Sequence, residues 1–323
     1  MVKLGRIVGA ALAVLLACAG PGFAQPYPNK PIRFIVPFAP GGGADVVARI
    51  ISEPLGQRLG QIVLVENKPG GGATIGADLV AKSPPDGYTL LYGTPGPQII
   101  NPYLMAKLPY DASSDFAPIS RLVVVTSVLV VHPSVPAKDV KALIEYARAN
   151  PGKVNFSSAG IGATSHLAGE LLKTTAGINI VHVPYKGTGA ALQDLLAGNV
   201  QMAIDSIPVF LPYIKAGALR ALAVTSPERS PVLPDVPPIA DLFSGFDASP
   251  MNYVTARAGT PGPIVERLNK EINAVLTMPE VRERLLAIGV TPTGSTPEAL
   301  DAQIRREAAK WKKVIEISGA KAE

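Results

Sequence analysis

The sequence predicts an α/β protein built as two lobes that are joined by a hinge. Short apolar runs alternate with helical patterns along most of the chain, which is typical of sheets covered by helices on both faces. The length of 323 residues exceeds that of a domain of common size. Two long extended runs also stand apart from the alternation, and they are candidate crossings between lobes.

The strand candidates are short runs rich in branched residues, at 32–38, 62–67, 88–93, 154–158, 178–183, 200–204 and 219–224. Helical candidates lie between them, at 45–59, 73–82, 137–149, 164–176, 188–197 and 208–216. Residues 261–318 show helical patterns only, with Thr260 as a candidate N-cap. A stripe of residues at helical spacing indicates one buried face there: Leu300, Ile304, Ala308, Trp311 and Ile315.

The two extended runs, 116–127 and 249–259, divide the chain. They predict a discontinuous lobe 1, made of residues 25–123 and 250–323, and a lobe 2 made of residues 124–249. The C-terminal helix is the one element that could pack across both lobes. Two crossings form a hinge with a cleft beneath it, as in proteins that close around a ligand.

Residues 1–24 have the order of a secretory signal peptide. Lys3 and Arg6 precede an apolar run that is too short to span a bilayer, and small residues lead to Gln25. Cleavage before Gln25 removes the only cysteine, Cys18, so that the mature chain holds no disulfide. The alternatives are an uncleaved membrane anchor and lipidation at Cys18. With cleavage or lipidation the protein is exported, and we expect it in the periplasm.

The charges and motifs exclude several classes of function. A formal net charge of +5 is too small and too scattered to indicate nucleic-acid binding. Of the three histidines, His166 is expected in the first turn of a helix, while His132 and His182 fit structural or surface roles. No hydrolase, metalloprotease or kinase motif occurs. We therefore predict no catalytic residue, no metal site and no cofactor.

Two glycine-rich loops have the character of an anion site. The loops "PGGGAD" (40–45) and "SSAGIGAT" (157–164) each follow a strand candidate and lead into a helix. Each can present free backbone N–H groups and the positive end of a helix dipole. One loop lies in each predicted lobe, at the carboxyl ends of strands, where α/β sheets bind ligands. The alternative is that both are ordinary tight turns.

The mature sequence resembles the periplasmic solute-binding proteins of the tripartite tricarboxylate transporter group, also called Bug proteins. Seven blocks in order carry the resemblance: 27–49, 66–93, 108–119, 155–172, 181–201, 212–238 and the tail "LNKEINAVL…PEVRERL…KWKKVIEISG". The resemblance implies a periplasmic-binding-protein fold of type II, with mostly parallel sheets flanked by helices and a two-strand hinge. It also implies a monomer that delivers a small carboxylate to a tripartite tricarboxylate-type membrane permease.

In this family, main-chain N–H groups from one loop of each lobe hold the carboxylate. Carried over, the ligand-binding residues are Phe38, Pro40, Gly41, Gly42, Gly43, Ala44 and Asp45 in the first loop, Ser158, Gly160, Gly162, Ala163 and Thr164 in the second, and Asp205 after a later strand. The alternative for Asp205 is the N-cap of the next helix.

The chain departs from the family at three of these loop positions. Ala44 and Ala163 replace a frequent Thr or Ser, and Ile161 replaces a frequent Asn. We therefore expect a more apolar wall around the distal end of the ligand, whose identity the resemblance does not give. The alternatives to a transport receptor are an exported enzyme that uses the same cleft and a ligand sensor for a membrane kinase.

The signal-peptide interpretation predicts the mass of the exported protein. Expressed with its full leader in a Gram-negative host, the protein should have the intact mass of a chain that begins at Gln25, because the small residues before it suit signal peptidase. Retention of Cys18 with acyl chains attached would show a lipoprotein instead.

Overall fold

The structure is a computed structural model that describes residues 27–185 and 187–321. The signal-peptide predictions at residues 1–24, including Cys18, and the new terminus at Gln25 lie outside the described residues. Within the described ranges, no helix combines the length and the apolar character needed to cross a membrane.

Eleven strands occur in the described part of the chain. They are β1 (Ile32–Val36), β2 (Val63–Asn67), β3 (Thr89–Gly93), β4 (Phe116–Val125), β5 (Ser127–Val131), β6 (Val154–Ser158), β7 (Ile180–Pro184), β8 (Met202–Ser206), β9 (Arg220–Val224), β10 (Met251–Arg257) and β11 (Val290–Pro292). Seven of them match the strand candidates of the sequence to within about two residues at each end.

Ten α-helices accompany these strands in the described residues. They are α1 (Gly43–Leu59), α2 (Thr74–Ala81), α3 (Asn101–Leu104), α4 (Val140–Ala149), α5 (Thr164–Ala176), α6 (Thr188–Leu196), α7 (Ile207–Lys215), α8 (Gly262–Thr277), α9 (Pro279–Ala287) and α10 (Pro297–Ser318). A π-helical turn, Gly96–Ile100, and the 3-10 turns Gly71–Ala73 and Ile239–Asp241 complete the list.

The strands form two sheets. The first has the order β11-β4-β10-β3-β1-β2, and the second has the order β7-β6-β8-β5-β9. Each sheet contains three parallel neighbours, β2-β1-β3 and β7-β6-β8. The sequence predicted mostly parallel sheets and did not predict the antiparallel pairs of β10 and β5. Each of these two strands is the first strand in the chain after a crossing between the sheets. It runs antiparallel to its neighbour in the parallel group, β3 for β10 and β8 for β5.

The chain passes between the sheets at two adjacent points. Only Thr126 separates β4 of the first sheet from β5 of the second, and the return path reaches β10 at Met251. The Val125 N–H donates to the carbonyl of Pro250 at 2.9 Å, which joins the two crossings. Both runs contain strands, β4 and β10, and β4 continues to Val125, two residues beyond the expected boundary at 123.

The C-terminal segment differs from the prediction in two ways. Residues 261–318 contain a short strand, β11, between α9 and α10, because Val290–Pro292 adds to the edge of β4. Thr260 does not cap a helix: the N-cap of α8 is Pro261, and the Thr260 hydroxyl donates to the carbonyl of Arg257. The predicted apolar stripe on α10 is confirmed, because Leu300, Trp311 and Ile315 are buried.

Helix α10 packs against elements attached to both sheets. One hydrophobic cluster contains Trp311 of α10, Leu172 of α5, and both Ile99 and Leu104 from the segment after β3. A single continuous core therefore joins the segment between β3 and β4 of the first sheet to α5, which lies between β6 and β7 of the second sheet. Burial of this apolar surface favours the observed packing of α10 against elements attached to both sheets.

Gly93 at the end of β3 tests the packing beneath this junction. A Cβ at Gly93 would lie 2.2 Å from the ring of Tyr253, which is fully buried. Gly93→Ala should therefore destabilise the protein by about 1–3 kcal/mol through overpacking. Urea unfolding measures this change. Gly262→Ala is the control, since its Cβ would meet no atom within 4 Å, and equal stabilities of the two variants would contradict the packing described here.

Candidate functional site

The first glycine loop connects β1 to α1 and leaves the start of that helix uncapped. Gly41 has φ +80°, a conformation that favours glycine, while Gly42 is extended and is the N-cap residue. No side chain among the described residues caps α1. The N–H groups of Gly43, Ala44 and Asp45 therefore have no acceptor within the helix and can bind an anion.

Asp45 holds this loop in shape with a buried carboxylate. It accepts hydrogen bonds from the Gly41 N–H at 2.9 Å, from Arg49 Nε at 3.0 Å and from Asn67 Nδ2 at 3.0 Å. Asn67 also donates to the carbonyl of Phe38 at 3.0 Å. The carboxylate of Asp45, which the sequence predicts as a ligand-binding residue, thus accepts hydrogen bonds from its own loop and its neighbours.

The charge on Asp45 is stable at neutral pH. Burial by itself raises the pKa of Asp45, but the hydrogen bonds from Arg49, the Gly41 N–H and Asn67 outweigh it and hold that pKa below its ordinary value. Arg49 is the cation that pairs with it. An anion at the N–H groups of α1 would therefore lie near a carboxylate whose negative charge is balanced by Arg49.

The second glycine loop connects β6 to α5 and repeats the same arrangement. Gly160 and Gly162 have φ +131° and +80°, and Ala163 is the N-cap residue of α5 without a capping side chain. The N–H groups of Thr164, Ser165 and His166 lack acceptors within this helix. They are the counterparts of the donors at the start of α1.

The N–H groups of both glycines in this loop have acceptors within the protein. Gly162 N–H donates to His166 Nδ1 at 3.2 Å, and Gly160 N–H donates to Ser158 Oγ at 3.1 Å. Ala163 N–H donates to the Gly160 carbonyl at 3.1 Å. Gly160 and Gly162 therefore provide the positive φ that shapes the loop, and free donors remain at the helix start.

Two histidines lie directly beneath this loop. The rings of His166 and His182 stack with centroids 3.9 Å apart, and His182 Nε2 lies 2.6 Å from Ser158 Oγ. Burial, followed by the charge of Lys173, lowers the pKa of His166 to about 4. Burial, followed by the charges of His166 and Lys173, lowers the pKa of His182 to about 3. Both rings are neutral at pH 7.

Asp205 lies near the second loop because β6, β7 and β8 are parallel and end at one edge. It belongs to β8, and the N-cap residue of α7 is Ser206, so the helix-cap alternative is wrong. Its carboxylate accepts from Ser206 N–H at 2.7 Å and from Thr188 Oγ1 at 3.1 Å. Burial raises the pKa of Asp205 above its ordinary value, against these hydrogen bonds, which lower it.

A third glycine loop, at 69–73, was missed in the sequence. Gly70, Gly71 and Gly72 all have positive φ and lead into α2. The Gly72 carbonyl accepts from Asn101 Nδ2 at 2.9 Å. The signal was available, because "PGGGA" occurs at 40–44 and again at 69–73.

Asn101 and Leu104 bring the loops of the two sheets together. A Cβ at Gly162 would lie 2.9 Å from Leu104 Cδ1 and 3.5 Å from Asn101 Oδ1. The second loop therefore lies against α3, which lies between β3 and β4 of the first sheet. No pattern in the sequence pointed to Asn101 or Leu104, because their importance comes from this contact alone.

The site offers hydrogen-bond donors and no metal ligands. Within residues 27–185 and 187–321, no group of three or more His, Cys, Asp or Glu side chains could hold a metal ion. Residues 38–44 and 158–164 contain neither Lys nor Arg. An anion at these loops would therefore be bound by backbone dipoles.

Two mixed sheets joined by two crossings, with glycine loops at the strand ends, define a two-lobed solute-binding protein. The family model described as "Tripartite tricarboxylate transporter family receptor" matches residues 47–320. The chain belongs to this family.

Relatives of known name support this assignment. Protein BugT of Bordetella pertussis is 40% identical over 323 residues, which cover 99% of each chain. The structure of R. palustris Rpa4515 with adipate has a TM-score of 0.84 and 36% identity, covering 91% of this chain and 99% of that one. MatC from Rhodopseudomonas palustris with bound malate has a TM-score of 0.78 and 33% identity, covering 90% and 100%. The predicted fold class and family are therefore confirmed.

The stacked histidines predict how stability depends on pH. In the unfolded chain both rings bind protons below about pH 6.5, whereas in the folded protein their pKa values are about 4 and about 3. Stability is therefore complete above pH 6.5 and is lost as the pH falls from 6.5 towards 4, by up to about 1.4 kcal/mol per pH unit for each ring. Urea unfolding of the wild type at several pH values measures this slope.

Comparison with matched variants isolates the contribution of the two rings. His166→Asn combined with His182→Gln should flatten the slope between pH 6.5 and 4.5. His132→Asn, which replaces the third histidine, hydrogen-bonded to Ser134 and outside the stacked pair, is the control variant. An unchanged slope in the double variant would contradict buried, neutral rings.

Proposed function

We propose that this receptor captures a small carboxylate between its two lobes and delivers it to the permease of a tripartite tricarboxylate-type transporter. One observation carries the proposal: two long helices, α1 and α5, begin uncapped behind glycine loops, one on each sheet. The relatives that hold adipate and malate support the same ligand class. We further propose that it acts in the periplasm as a monomer, without catalysis.

We propose that the ligand carboxylate accepts hydrogen bonds from the start of both helices. The donors are the N–H groups of Gly43 and Ala44 in α1, and of Thr164 in α5. Phe38, Pro40 and Ala163 would form the walls around the carboxylate. Each charge-assisted hydrogen bond contributes about 1.5–3 kcal/mol.

We assign the remaining predicted residues to the shape of the loops. Gly41, Gly160 and Gly162 have positive φ, Gly42 leaves room at the N-cap, and Asp45 and Ser158 accept loop N–H groups. Asp205 would face the ligand from the edge of β8, next to Thr188.

We propose that the lobes divide where the chain changes sheets, near residues 126 and 250. Closure about these crossings would be favoured by a ligand that contacts both loops, because such a ligand binds the closed form better than the open form. Separation of the lobes would then remove half of the donors and release the ligand. A backbone site without lysine or arginine suits this reversible binding.

The ligand class is tested first by identifying what binds. Mass spectrometry of small molecules that co-purify with gently prepared protein should reveal a carboxylic acid. Conversion of that carboxylate to its primary amide should weaken binding by about 2–4 kcal/mol, or thirtyfold to a thousandfold, because N–H donors would then face N–H donors. Calorimetric titration measures this loss, and equal affinity of acid and amide would refute the proposal.

Gly42 tests the contribution of the first loop. Its backbone is extended, and an added Cβ would meet only the Ala39 carbonyl, at 3.5 Å, so Gly42→Val should fold normally. The branched side chain beside the start of α1 should lower the affinity about tenfold or more. Gly262→Val, at the start of α8, is the control, and normal binding by Gly42→Val would exclude the first loop from the site.

Gly162→Val is not an equivalent test on the second lobe. Gly162 has φ +80°, and a Cβ there would lie 2.9 Å from Leu104 Cδ1. The substitution would therefore strain the folded protein as well as alter the site. The second loop is better tested through the side chains that support it.

A further inference from the structure

Hydrogen bonds connect the N–H groups of both glycines in the second loop, directly or through one hydroxyl, to a pair of histidines. Gly162 N–H donates directly to His166 Nδ1 at 3.2 Å. Gly160 N–H donates to Ser158 Oγ at 3.1 Å, and that hydroxyl lies 2.6 Å from His182 Nε2. The loop is thus tied at two points to one pair of imidazole rings.

The core fixes the position of this pair. His166 stacks on His182 with an angle of 15° between the ring planes, and His182 stacks on Phe156 at 5.0 Å. Helix α5 approaches β6 closely because Gly169 has no side chain, and a Cβ there would lie 2.2 Å from the Phe156 ring. The acceptor atoms beneath the loop therefore cannot shift without moving buried aromatic rings.

The hydrogen bond from Gly162 specifies the protonation of His166. His166 Nδ1 accepts, so the proton of this ring is on Nε2. Ser158 Oγ accepts from Gly160 N–H, and its own hydrogen can be donated to the Gly160 carbonyl at 3.2 Å or to His182 Nε2 at 2.6 Å, so Ser158 can pair with either neutral tautomer of His182. An imidazolium has no acceptor atom, and therefore the bond from Gly162 would be lost on protonation of His166.

We propose that His166 and His182 are positioning residues of the ligand site, which hold the second loop so that the start of α5 faces the cleft, and that the bond to Gly162 exists only while the His166 ring is neutral. This inference rests on the proposed function, because the loop must be one that binds ligand. Neither histidine touches the ligand in this proposal. Each acts through Gly162 or through Ser158 and Gly160.

The surroundings of the rings favour the neutral state. Lys173, on the same helix, is the cation near both rings, and it lies 3.5 Å from Glu170 Oε2. The elements packed against α5 contribute apolar side chains to the shared core: Phe156 of β6, Met202 and Ile204 of β8, and Trp311 and Ile315 of α10. Burial and a nearby positive charge both oppose an imidazolium.

The tautomer of His166 can be measured directly in the wild-type protein without ligand. Two-bond ¹⁵N–¹H correlation spectra at pH 7 should show His166 with its proton on Nε2. Both rings should remain neutral at pH 5. The opposite tautomer of His166, or an imidazolium at pH 7, would overturn the proposal.

Variants of His166 separate the acceptor atom from the ring. In His166→Asn, the side-chain Oδ1 replaces Nδ1 as acceptor, whereas His166→Phe keeps an aromatic ring without an acceptor. Amide hydrogen exchange at Gly162 should speed up about tenfold or more in the Phe variant and stay near the wild-type rate in the Asn variant. Equal exchange in the two variants would overturn the proposal.

Binding then tests whether the loop position matters for the ligand, with succinate, malate and adipate as probes. For any acid that binds the wild type, His166→Phe should weaken binding about tenfold, and His166→Asn and the control His132→Asn should bind normally. Faster exchange without weaker binding would reject a role in the site. If none of the three binds the wild type, the proposed function loses support, while the spectra and exchange rates still decide whether the pair holds the loop.

Discussion

Unsatisfied backbone donors at the starts of α1 and α5 are the constraint around which this protein is arranged. A helix leaves its first N–H groups without acceptors, and Ser, Thr, Asp and Asn are the residues preferred at the N-cap because their side chains accept from these groups. Here the N-cap residues are Gly42 and Ala163, which have no acceptor side chain. The two helix starts therefore retain donors and the positive ends of their dipoles, which is the condition that an anion can meet.

The two loops are held in shape by chemically different hydrogen-bond acceptors. In the first loop a charged carboxylate, that of Asp45, accepts a loop N–H and is balanced by Arg49. In the second loop the neutral imidazole of His166 accepts from Gly162 N–H, and Ser158, which is hydrogen-bonded to His182, accepts from Gly160 N–H. Both arrangements use acceptors on neighbouring structure for N–H groups of the loop, while the N–H groups of the helix start have no acceptor within the helix. Such fixed donors need little reorganisation when an anion arrives.

The architecture of the sheets gives the two helix starts equivalent positions. In each sheet the glycine loop follows the middle strand of a parallel trio, β1 or β6, and the strand that joins the sheets enters antiparallel beside that trio. The close approach of Gly162 to Leu104 and Asn101 then places the second loop against α3, which lies between β3 and β4 of the first sheet. The shared core around Trp311 makes this contact part of the fold.

The sequence by itself determined the local elements and the two glycine loops. Strand and helix positions follow from short-range patterns of apolar residues, and positive φ is available chiefly to glycine, so "PGGGAD" and "SSAGIGAT" could be found without a structure. The family resemblance rested on the same local blocks. Even so, the short strand β11 escaped detection, because it exists only by pairing with β4.

Only the tertiary structure decided which atoms of the loops are free and which are occupied. Asp45 is hydrogen-bonded to Asn67, 22 residues away in the chain, and Ser158 is hydrogen-bonded to His182, 24 residues away. No periodic pattern in the sequence links the members of either pair. The roles of Asn101, Leu104 and the second "PGGGA" segment likewise arise from packing between distant parts of the chain. Hydrogen bonds and close contacts depend on distances in space, and sequence patterns report them only when the partners are neighbours on one helix or strand.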